Sequence, residues 1–262
     1  MSKVLIIGGN RFVGKLVAKQ LYNQNHQVTV LNRSGNKPFN KCSVIKMDRI
    51  DLEKIPDMPE IVIDMCAYNV NQVKLLLKVI DKDVLKQYIV ISSIASEYLF
   101  FGEYGKNKAD IETFLRFETN IPWVILRPTY IIGKNDHHKR IDYFLDCINE
   151  GHIIDVDGLG SEKLSFVFVE DVVDVINEVV RNGVYNKTYN ICNDEQISTN
   201  KLIELFFKLT GKKTEIRHQP QNPYAIFKDE HCVFSNQLTK DDLNIKFKTL
   251  KEGISEYIIS KS

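Results

Sequence analysis

The chain has 262 residues, of which 44% are apolar, and a formal net charge of +1. That is enough apolar material for one large domain, or one and a half, with a sizeable core, while the near-neutral balance offers no basic footprint for nucleic acid. No apolar run approaches the roughly 20 residues needed to span a bilayer, Val4 opens a strand almost at once so that no signal peptide is expected, and five cysteines without paired spacing (Cys42, Cys66, Cys147, Cys192, Cys232) point to free thiols in a reducing cytoplasm rather than a zinc site.

The first elements organise the chain. Val4 to Ile7 reads as a buried parallel strand. Gly8 and Gly9 end it, and from Phe12 the period changes: Val13, Leu16, Val17 and Leu21 share one helical stripe. A strand running through a glycine turn into a helix aims free backbone N–H groups and a positive dipole end at one spot, which suits a pyrophosphate. Gly8 permits the turn and Gly14 lets the helix pack close on the strand. Between them stand Asn10 and Arg11, where three-glycine fingerprints place another glycine. Arg11 can supply a phosphate contact by side chain instead. Residues 8–14 (Gly8, Gly9, Asn10, Arg11, Phe12, Val13, Gly14) are therefore the first cofactor-binding candidates.

A second strand, Gln27 to Leu31, leads into Asn32 and Arg33, where such folds meet the adenosine ribose. An acidic residue there would favour NAD. Arg33 can pair with a 2′-phosphate, so NADP is preferred, while Asn32 can still hydrogen-bond a ribose hydroxyl and keeps NAD open. Ser43 to Met47 reads as a third strand, and Asp48 after it falls at the adenine side. The fourth strand, Glu60 to Asp64, runs into Cys66, Ala67 and Tyr68, expected over the middle of the cofactor. Val70, Val73, Leu77 and Ile80 make the core face of a helix. A fifth strand, Gln87 to Ile91, ends in Ser92 and Ser93, and a sixth, Trp123 to Leu126, closes with Arg127 and Pro128. Strands alternating with helices at this spacing mean a parallel sheet with right-handed crossovers.

Beyond Pro128 the rhythm changes. A polar loop contains His137 and His138, adjacent residues that suit solvent better than a shared metal. Helices are expected through Ile141 to Ile148, from Asp171 as N-cap through Val179, over Ser198 to Thr210, and near Lys251 to Ile259; strands are expected at Leu164 to Val169 and Tyr189 to Ile191.

The chemistry is carried by Tyr104 and Lys108, spaced i, i+4 on the helix that continues through Ile111, Phe114 and Leu115. Both side chains lie on one face, one turn apart. An ammonium near a phenol favours the phenolate, and a tyrosine so tuned can take or give a proton at a substrate hydroxyl or carbonyl. The same lysine can reach the nicotinamide ribose. A serine at the end of the neighbouring strand can hold the substrate oxygen. Ser93 is the choice, with Ser92 on the cofactor side.

These segments resemble the extended short-chain dehydrogenase/reductase superfamily, in its NAD-dependent epimerase/dehydratase group. Gly-Gly-Asn-Arg-Phe-Val-Gly (8–14), Val-Ile-Ser-Ser (90–93), Tyr-Gly-Lys-Asn-Lys (104–108), Ile-Leu-Arg-Pro-Thr-Tyr-Ile-Ile-Gly (125–133) and Phe-Val-Phe-Val-Glu-Asp-Val-Val (166–173) carry the likeness, in the family's order. The first is similar to a Gly-Gly-x-Arg-Phe-x-Gly branch that includes sugar-nucleotide epimerase-like proteins and plastid RNA-binding relatives. The resemblance implies an α/β, doubly wound parallel sheet (Rossmann) with a small C-terminal α+β substrate domain. It divides the chain into 1–127 plus a returning segment 163–192 for the dinucleotide, and 128–162 with 193–262 for the substrate. It implies an NAD(P)-dependent epimerase, dehydratase or reductase acting on a small molecule, often a nucleotide-sugar. Tyr104 is then acid/base with Lys108 as partner, Pro128 to Ile131 line the nicotinamide end, and Arg140, Lys163 and Arg217 are candidate phosphate partners. Family members often pair through the helix carrying the tyrosine and lysine. That allows a homodimer here, with Phe114, Leu115 and Phe117 serving either it or the core.

Two departures bear on the site. Counted back from Tyr98, the family's serine position falls on Ile94, with Ser92, Ser93 and Ser96 around it. The stretch from Ser93 to Tyr104 is also short. A second reading is therefore kept: a non-catalytic dinucleotide-binding protein, either a redox sensor or an RNA-associated relative.

Overall fold

The computed structural model describes residues 1–98 and 101–261. Seven parallel strands form the main sheet: β1 (Lys3–Ile7), β2 (Gln27–Asn32), β3 (Ser43–Lys46), β4 (Ile61–Asp64), β5 (Gln87–Ile91), β6 (Trp123–Pro128) and β10 (Lys187–Ile191), in the order β10-β6-β5-β4-β1-β2-β3. Strand order reverses between β1 and β4, which pair Val4 with Ile61 through Ile7 with Asp64. A crevice at the carboxyl ends of two such strands is where open α/β sheets bind ligands. The strands read as apolar runs because both faces are covered: Val4, Ile6, Val62, Ile63, Ile89 and Val90 are all essentially buried. Helices α1 (Phe12–Asn23), α2 (Val70–Val79) and α3 (Gly102–Phe117) supply the covering faces.

The chain separates into two compact units. The first comprises residues 1–129, 172–191 and 237–245; the second comprises 130–171, 192–236 and 246–262. Lys163 to Asp171, expected to return to the dinucleotide-binding domain, lies in the second unit. There β9 (Lys163–Phe168) pairs parallel with β7 (Tyr130–Ile132) and antiparallel with β11 (Gln196–Ser198). The helix after it, α5 (Val169–Asn182), starts two residues before Asp171. Asp171 therefore sits inside the first turn and is not the N-cap.

One element joins the first unit without an expectation behind it. Helix α7 (Gln237–Leu243) covers the edge strand β10: Thr239 donates to the Asn190 carbonyl at 2.6 Å, and the Asp242 carboxylate accepts from Lys187 Nζ and Tyr189 Oη, each at 3.0 Å. Capping an edge in this way blocks pairing with another chain. The second unit adds α4 (Arg140–Glu150), α6 (Thr199–Thr210), α8 (Leu250–Lys261) and a parallel pair, β8 (Ile154–Asp157) with β12 (Ile216–Gln219). Its core is aromatic: Phe144 stacks on Phe206 at 5.1 Å, and Phe227 packs edge-on to Phe166 at 5.0 Å.

Phe114 and Leu115 belong to the core of the first unit, whereas Phe117 is 80% exposed. Among the described residues, no helix is long and apolar enough to cross a membrane, and the five cysteines are free thiols.

Candidate functional site

The turn from β1 into α1 is built by close approach. Gly8 has φ +84°, a left-handed conformation, and a Cβ there would lie 3.2 Å from Cys66 Sγ. A Cβ at Gly14 would lie 2.8 Å from the Gly8 carbonyl oxygen, and one at Gly9 would lie 2.8 Å from Ile6 Cγ2. The helix start therefore nests against the strand end with no room for side chains. Phe12, the first residue of α1, has φ +41°, a strained setting for a bulky residue that costs about 1–3 kcal/mol. Arg11 at the N-cap is extended, makes no side-chain cap, and no acid stands in the first turn. The helix amino terminus thus keeps N–H groups and dipole for an anion, and this cradle fits a dinucleotide pyrophosphate.

Around it opens a cleft of about 390 Å³, lined by Gly8, Asn10, Arg11, Arg33, Asp48 and Tyr68 among others. Arg11 and Arg33 are exposed, and their guanidinium groups make no hydrogen bond or ion pair among the described residues. Asn32 lines the cleft too, but its side chain is engaged by its own loop: Oδ1 accepts from Gly35 N at 2.7 Å and from Ser34 Oγ at 2.9 Å, and Nδ2 donates to the Asn36 carbonyl at 3.0 Å. Asp48 accepts from Ile50 N and caps the 3₁₀ turn Arg49–Asp51.

Beneath the cleft lies a buried ion pair that sequence reasoning missed. Arg49 grips Asp64 with two bonds of 2.7 and 2.6 Å, both side chains being at most 5% exposed. Asp64 also accepts from Tyr88 Oη at 2.7 Å and from Cys66 N at 3.2 Å. Burial disfavours the Arg49 charge, yet the Asp64 carboxylate beside it holds its pKa above the ordinary value. Burial, helped by Asp64, pushes the Cys66 thiol up to about 11, so it packs as a neutral side chain.

Helix α3 carries Tyr104 and Lys108. Lys108 is 3% exposed and donates from Nζ to the carbonyls of Ala67 (2.9 Å) and Ile91 (2.8 Å), tying the ends of β4 and β5 to the helix. Burial pulls its pKa down to about 8, opposed by the Asp64 and Glu112 carboxylates. The ammonium lies 5.8 Å from the centroid of the Tyr104 ring and 5.7 Å from that of Tyr68. Tyr104 is 47% exposed and Tyr68 57%. A cation held in so little water, beside an accessible phenol, favours proton transfer at that phenol.

One turn beyond Lys108, the buried Glu112 accepts from Ser92 Oγ (2.6 Å), Arg116 and Arg127; Arg127 also pairs with Glu97. Arg127 thereby links α3 to the 3₁₀ turn Ile94–Glu97. Close packing seals the same junction, since a Cβ at Gly105 would lie 2.3 Å from the Ala95 carbonyl oxygen. The serines separate by role. Ser92 is 3% exposed with its hydroxyl turned to Glu112. Ser93 caps the 3₁₀ turn by accepting from Ala95 N at 3.2 Å, leaving its O–H proton able to donate. Ile94 is buried.

Of the sequence candidates, Gly8, Asn10, Arg11, Asn32, Arg33, Asp48, Cys66 and Tyr68 line one cleft. Val13 and Ala67 are buried behind it, and Pro128 is buried in β6 opposite Ile191. Arg49, Gln72 and Ser34 join the lining unannounced. Glu112 did leave a signal, an acid at i+4 from Lys108 on the same stripe. In the second unit, Arg140 pairs with Asp136 at 3.1 Å and Arg217 grips Asp155 at 2.7 and 2.9 Å. Both candidate phosphate arginines are thus already engaged. Lys163 is exposed at the start of β9.

A parallel sheet with strand order reversing over a glycine cradle, and a tyrosine–lysine pair on α3, define a dinucleotide-binding protein of the extended short-chain dehydrogenase/reductase type. Residues 4–119 and 102–192 match the NAD dependent epimerase/dehydratase family, and the chain belongs to that enzyme family. It is 24% identical over 298 residues to the chloroplast stem-loop binding protein of 41 kDa b of Arabidopsis thaliana, covering 97% of this chain and 78% of the relative. Its fold is similar to that of a UDP-glucose 4-epimerase of Thermotoga maritima, solved with UDP-glucose (TM-score 0.80, 20% identity, 99% of each chain). It is also similar to a UDP-N-acetylglucosamine 4-epimerase of Methanobrevibacter ruminantium M1, solved with UDP-N-acetylmuramic acid (TM-score 0.82, 18% identity, 100% of this chain and 99% of the other).

Proposed function

We propose that this chain is an NAD(P)-dependent oxidoreductase or epimerase that acts at a hydroxyl- or carbonyl-bearing carbon of a small molecule, a nucleotide-sugar being the leading class. The observation that carries the reading is the buried Lys108 ammonium, fixed by two backbone carbonyls at the strand ends and flanked by the accessible Tyr104. When bound, the nicotinamide cofactor supplies hydride acceptance and donation. Residues 8–14 hold its pyrophosphate. Asn32, Arg33 and Asp48 stand at its adenosine end, and Cys66, Ala67, Tyr68, Ser92 and Pro128 at its middle and nicotinamide end. The exposed Arg33 favours NADP over NAD, because a 2′-phosphate brings the countercharge it lacks. Tyr104 takes the proton from the substrate hydroxyl, or returns it to the carbonyl oxygen. Lys108 holds the phenol in its ionisable state, and Ser93 donates to the same oxygen.

Thermal-shift screening against NAD, NADP and a panel of nucleotide-sugars, UDP-glucose included, tests this. A ligand at 100 times its Kd adds about 2.7 kcal/mol of stability. Stabilisation by neither nicotinamide nucleotide overturns the proposal. Tyr104→Phe should abolish turnover while keeping cofactor affinity; unchanged turnover removes Tyr104 from the chemistry.

The likeness to a stem-loop binding protein over 97% of this chain supports a second reading, a dinucleotide-binding protein that acts on RNA. Titration of a stem-loop RNA with and without NADP separates the two. Submicromolar RNA binding, with no nucleotide-sugar stabilising the chain, favours the second.

A further inference from the structure

We infer that Asp64 is a positioning residue for the acid/base pair: its carboxylate builds the turn whose carbonyl grips Lys108, and its charge keeps that buried ammonium protonated. This role rests on the reading of Tyr104 and Lys108 above and adds to it a residue from beneath the cleft. Asp64 ends β4, and the chain then turns so that the Ala67 carbonyl meets Lys108 Nζ at 2.9 Å. The carboxylate fixes that turn. Oδ1 accepts from Cys66 N at 3.2 Å and from Arg49 Nη1 at 2.7 Å, while Oδ2 accepts from Arg49 Nη2 at 2.6 Å and from Tyr88 Oη at 2.7 Å. One side chain thus ties β5 and the 3₁₀ turn Arg49–Asp51 to the segment that holds the lysine.

Stability alone gives little reason for this cluster. Apolar side chains of similar volume replace a buried ion pair without loss, and often with a gain. The pair is also incomplete, since Arg49 Nε is buried with no hydrogen-bond partner among the described residues, which is unfavourable. What the cluster supplies is a negative charge near Lys108. The two carbonyls that hold the ammonium bring no countercharge. Glu112, one turn along α3, is shared by two guanidinium groups, Arg116 and Arg127. Asp64 has one guanidinium, and its other two donors, Tyr88 Oη and Cys66 N, are neutral; burial, reinforced by Asp64, holds the Tyr88 hydroxyl well above its ordinary range. The Asp64 charge is therefore less fully neutralised than that of Glu112. Burial acts most strongly on Lys108 and discharges it; Asp64 leads the opposition, with Cys66 and Glu112 on its side and Arg49 against. Tyr68 and Tyr104 also face the ammonium, with ring centroids at 5.7 and 5.8 Å. A lysine that stays charged favours proton transfer at the neighbouring phenol, so Asp64 acts on Tyr104 through Lys108.

The test reads Lys108 directly. In chain carrying isotope-labelled lysine, NMR follows the Lys108 Cε resonance against pH, the signal being identified by its loss in Lys108→Met. The intact chain should titrate at about pH 8. Asp64→Asn keeps the shape of the side chain and removes its charge, and should lower the midpoint by about one pH unit or more. Where Asp64→Asn does not fold, Arg49→Met with Asp64→Leu is read instead; its fall should be smaller, because the opposing Arg49 charge goes as well. Tyr88→Phe takes one bond from the same carboxylate but leaves its charge, and should leave the midpoint in place. A midpoint unchanged or raised when Asp64 is replaced overturns the inference. So does an equal fall in Tyr88→Phe, which would mean damage to the cluster rather than loss of charge. The measurement needs no cofactor, so its failure leaves the dinucleotide reading standing, whereas a chain that binds neither NAD nor NADP overturns that reading and leaves the midpoint as measured.

Discussion

Arginine is used in opposite ways in the two units. In the first, Arg11 and Arg33 stand exposed in the cleft with no partner among the described residues. In the second, Arg140 is held by Asp136 and by the Ile131 carbonyl, and Arg217 by both oxygens of Asp155. A guanidinium left without a carboxylate suits a ligand that brings negative charge; one already paired is part of the scaffold. The cleft also holds an internal control. Arg49 lines it, but Arg49 is buried and paired with Asp64. The contrast is therefore between partners, not merely between units.

The largest expected effect breaks the paired kind. Asp64→Asn leaves the Arg49 guanidinium buried without a countercharge, and should destabilise the chain by about 3–5 kcal/mol in chemical denaturation. Replacing both partners, Arg49→Met with Asp64→Leu, should recover much of that loss. A cost under about 1 kcal/mol for Asp64→Asn would mean that Arg49 is not compensated by the pair at all.

The unpaired kind comes next. Arg33→Ala should weaken NADP by tenfold or more, in line with about 1.5–3 kcal/mol for a charge-assisted hydrogen bond, and leave NAD little changed. Melting temperature should not move, because an exposed side chain without partners contributes little to folding. Equal affinity for NADP and NAD in the intact chain would remove Arg33 from cofactor selection.

How much of this was legible depends on where the physics is local. The strands Val4–Ile7 and Ile61–Asp64 announce themselves because a doubly covered strand must be apolar throughout. The glycine turn is legible because close approach excludes a side chain at Gly14. Tyr104 and Lys108 are four residues apart, so one helix is enough to bring them together. Arg49 and Asp64 are fifteen residues apart on different elements, and no local pattern announces their pairing. The same holds for β12, whose sequence Ile-Arg-His-Gln has no apolar alternation and becomes a strand only by pairing with β8, 62 residues earlier. Which serine faces inward was decided by Glu112, a residue on another element.

A pH experiment sharpens the contrast further, because Lys108 is the buried cation at this site held by carbonyls instead of a carboxylate. Burial lowers its pKa to about 8 from an ordinary 10.5. The folded chain therefore releases this proton before the unfolded chain does. Between those two values the unfolded state binds more protons, so the Lys108 contribution to stability rises with pH; below about 8 the full cost of the buried charge is present. Compared with Lys108→Met, the intact chain should gain relative stability from pH 8 upward. Any binding step that needs the ammonium should weaken over the same interval. Parallel stability curves for the two proteins would show that this lysine is not perturbed.

The smallest expected effect is the most exposing for the comparison. Arg217 is a candidate for a nucleotide-sugar diphosphate, yet its charge is already matched by Asp155, which holds its pKa above the ordinary value and which also accepts from Asn222 Nδ2 at 3.0 Å. Arg217→Ala should then leave the melting temperature and NADP affinity unchanged, since the side chain is half exposed and Asp155 keeps its bond to Asn222. It should also leave the response to nucleotide-sugars unchanged, because a diphosphate would first have to displace a carboxylate already seated on the guanidinium. A loss of about tenfold in nucleotide-sugar affinity would show that the second unit exchanges its internal carboxylate for the ligand's phosphate. Its arginines would then belong with those of the cleft, and a pairing seen without ligand would no longer distinguish scaffold from site.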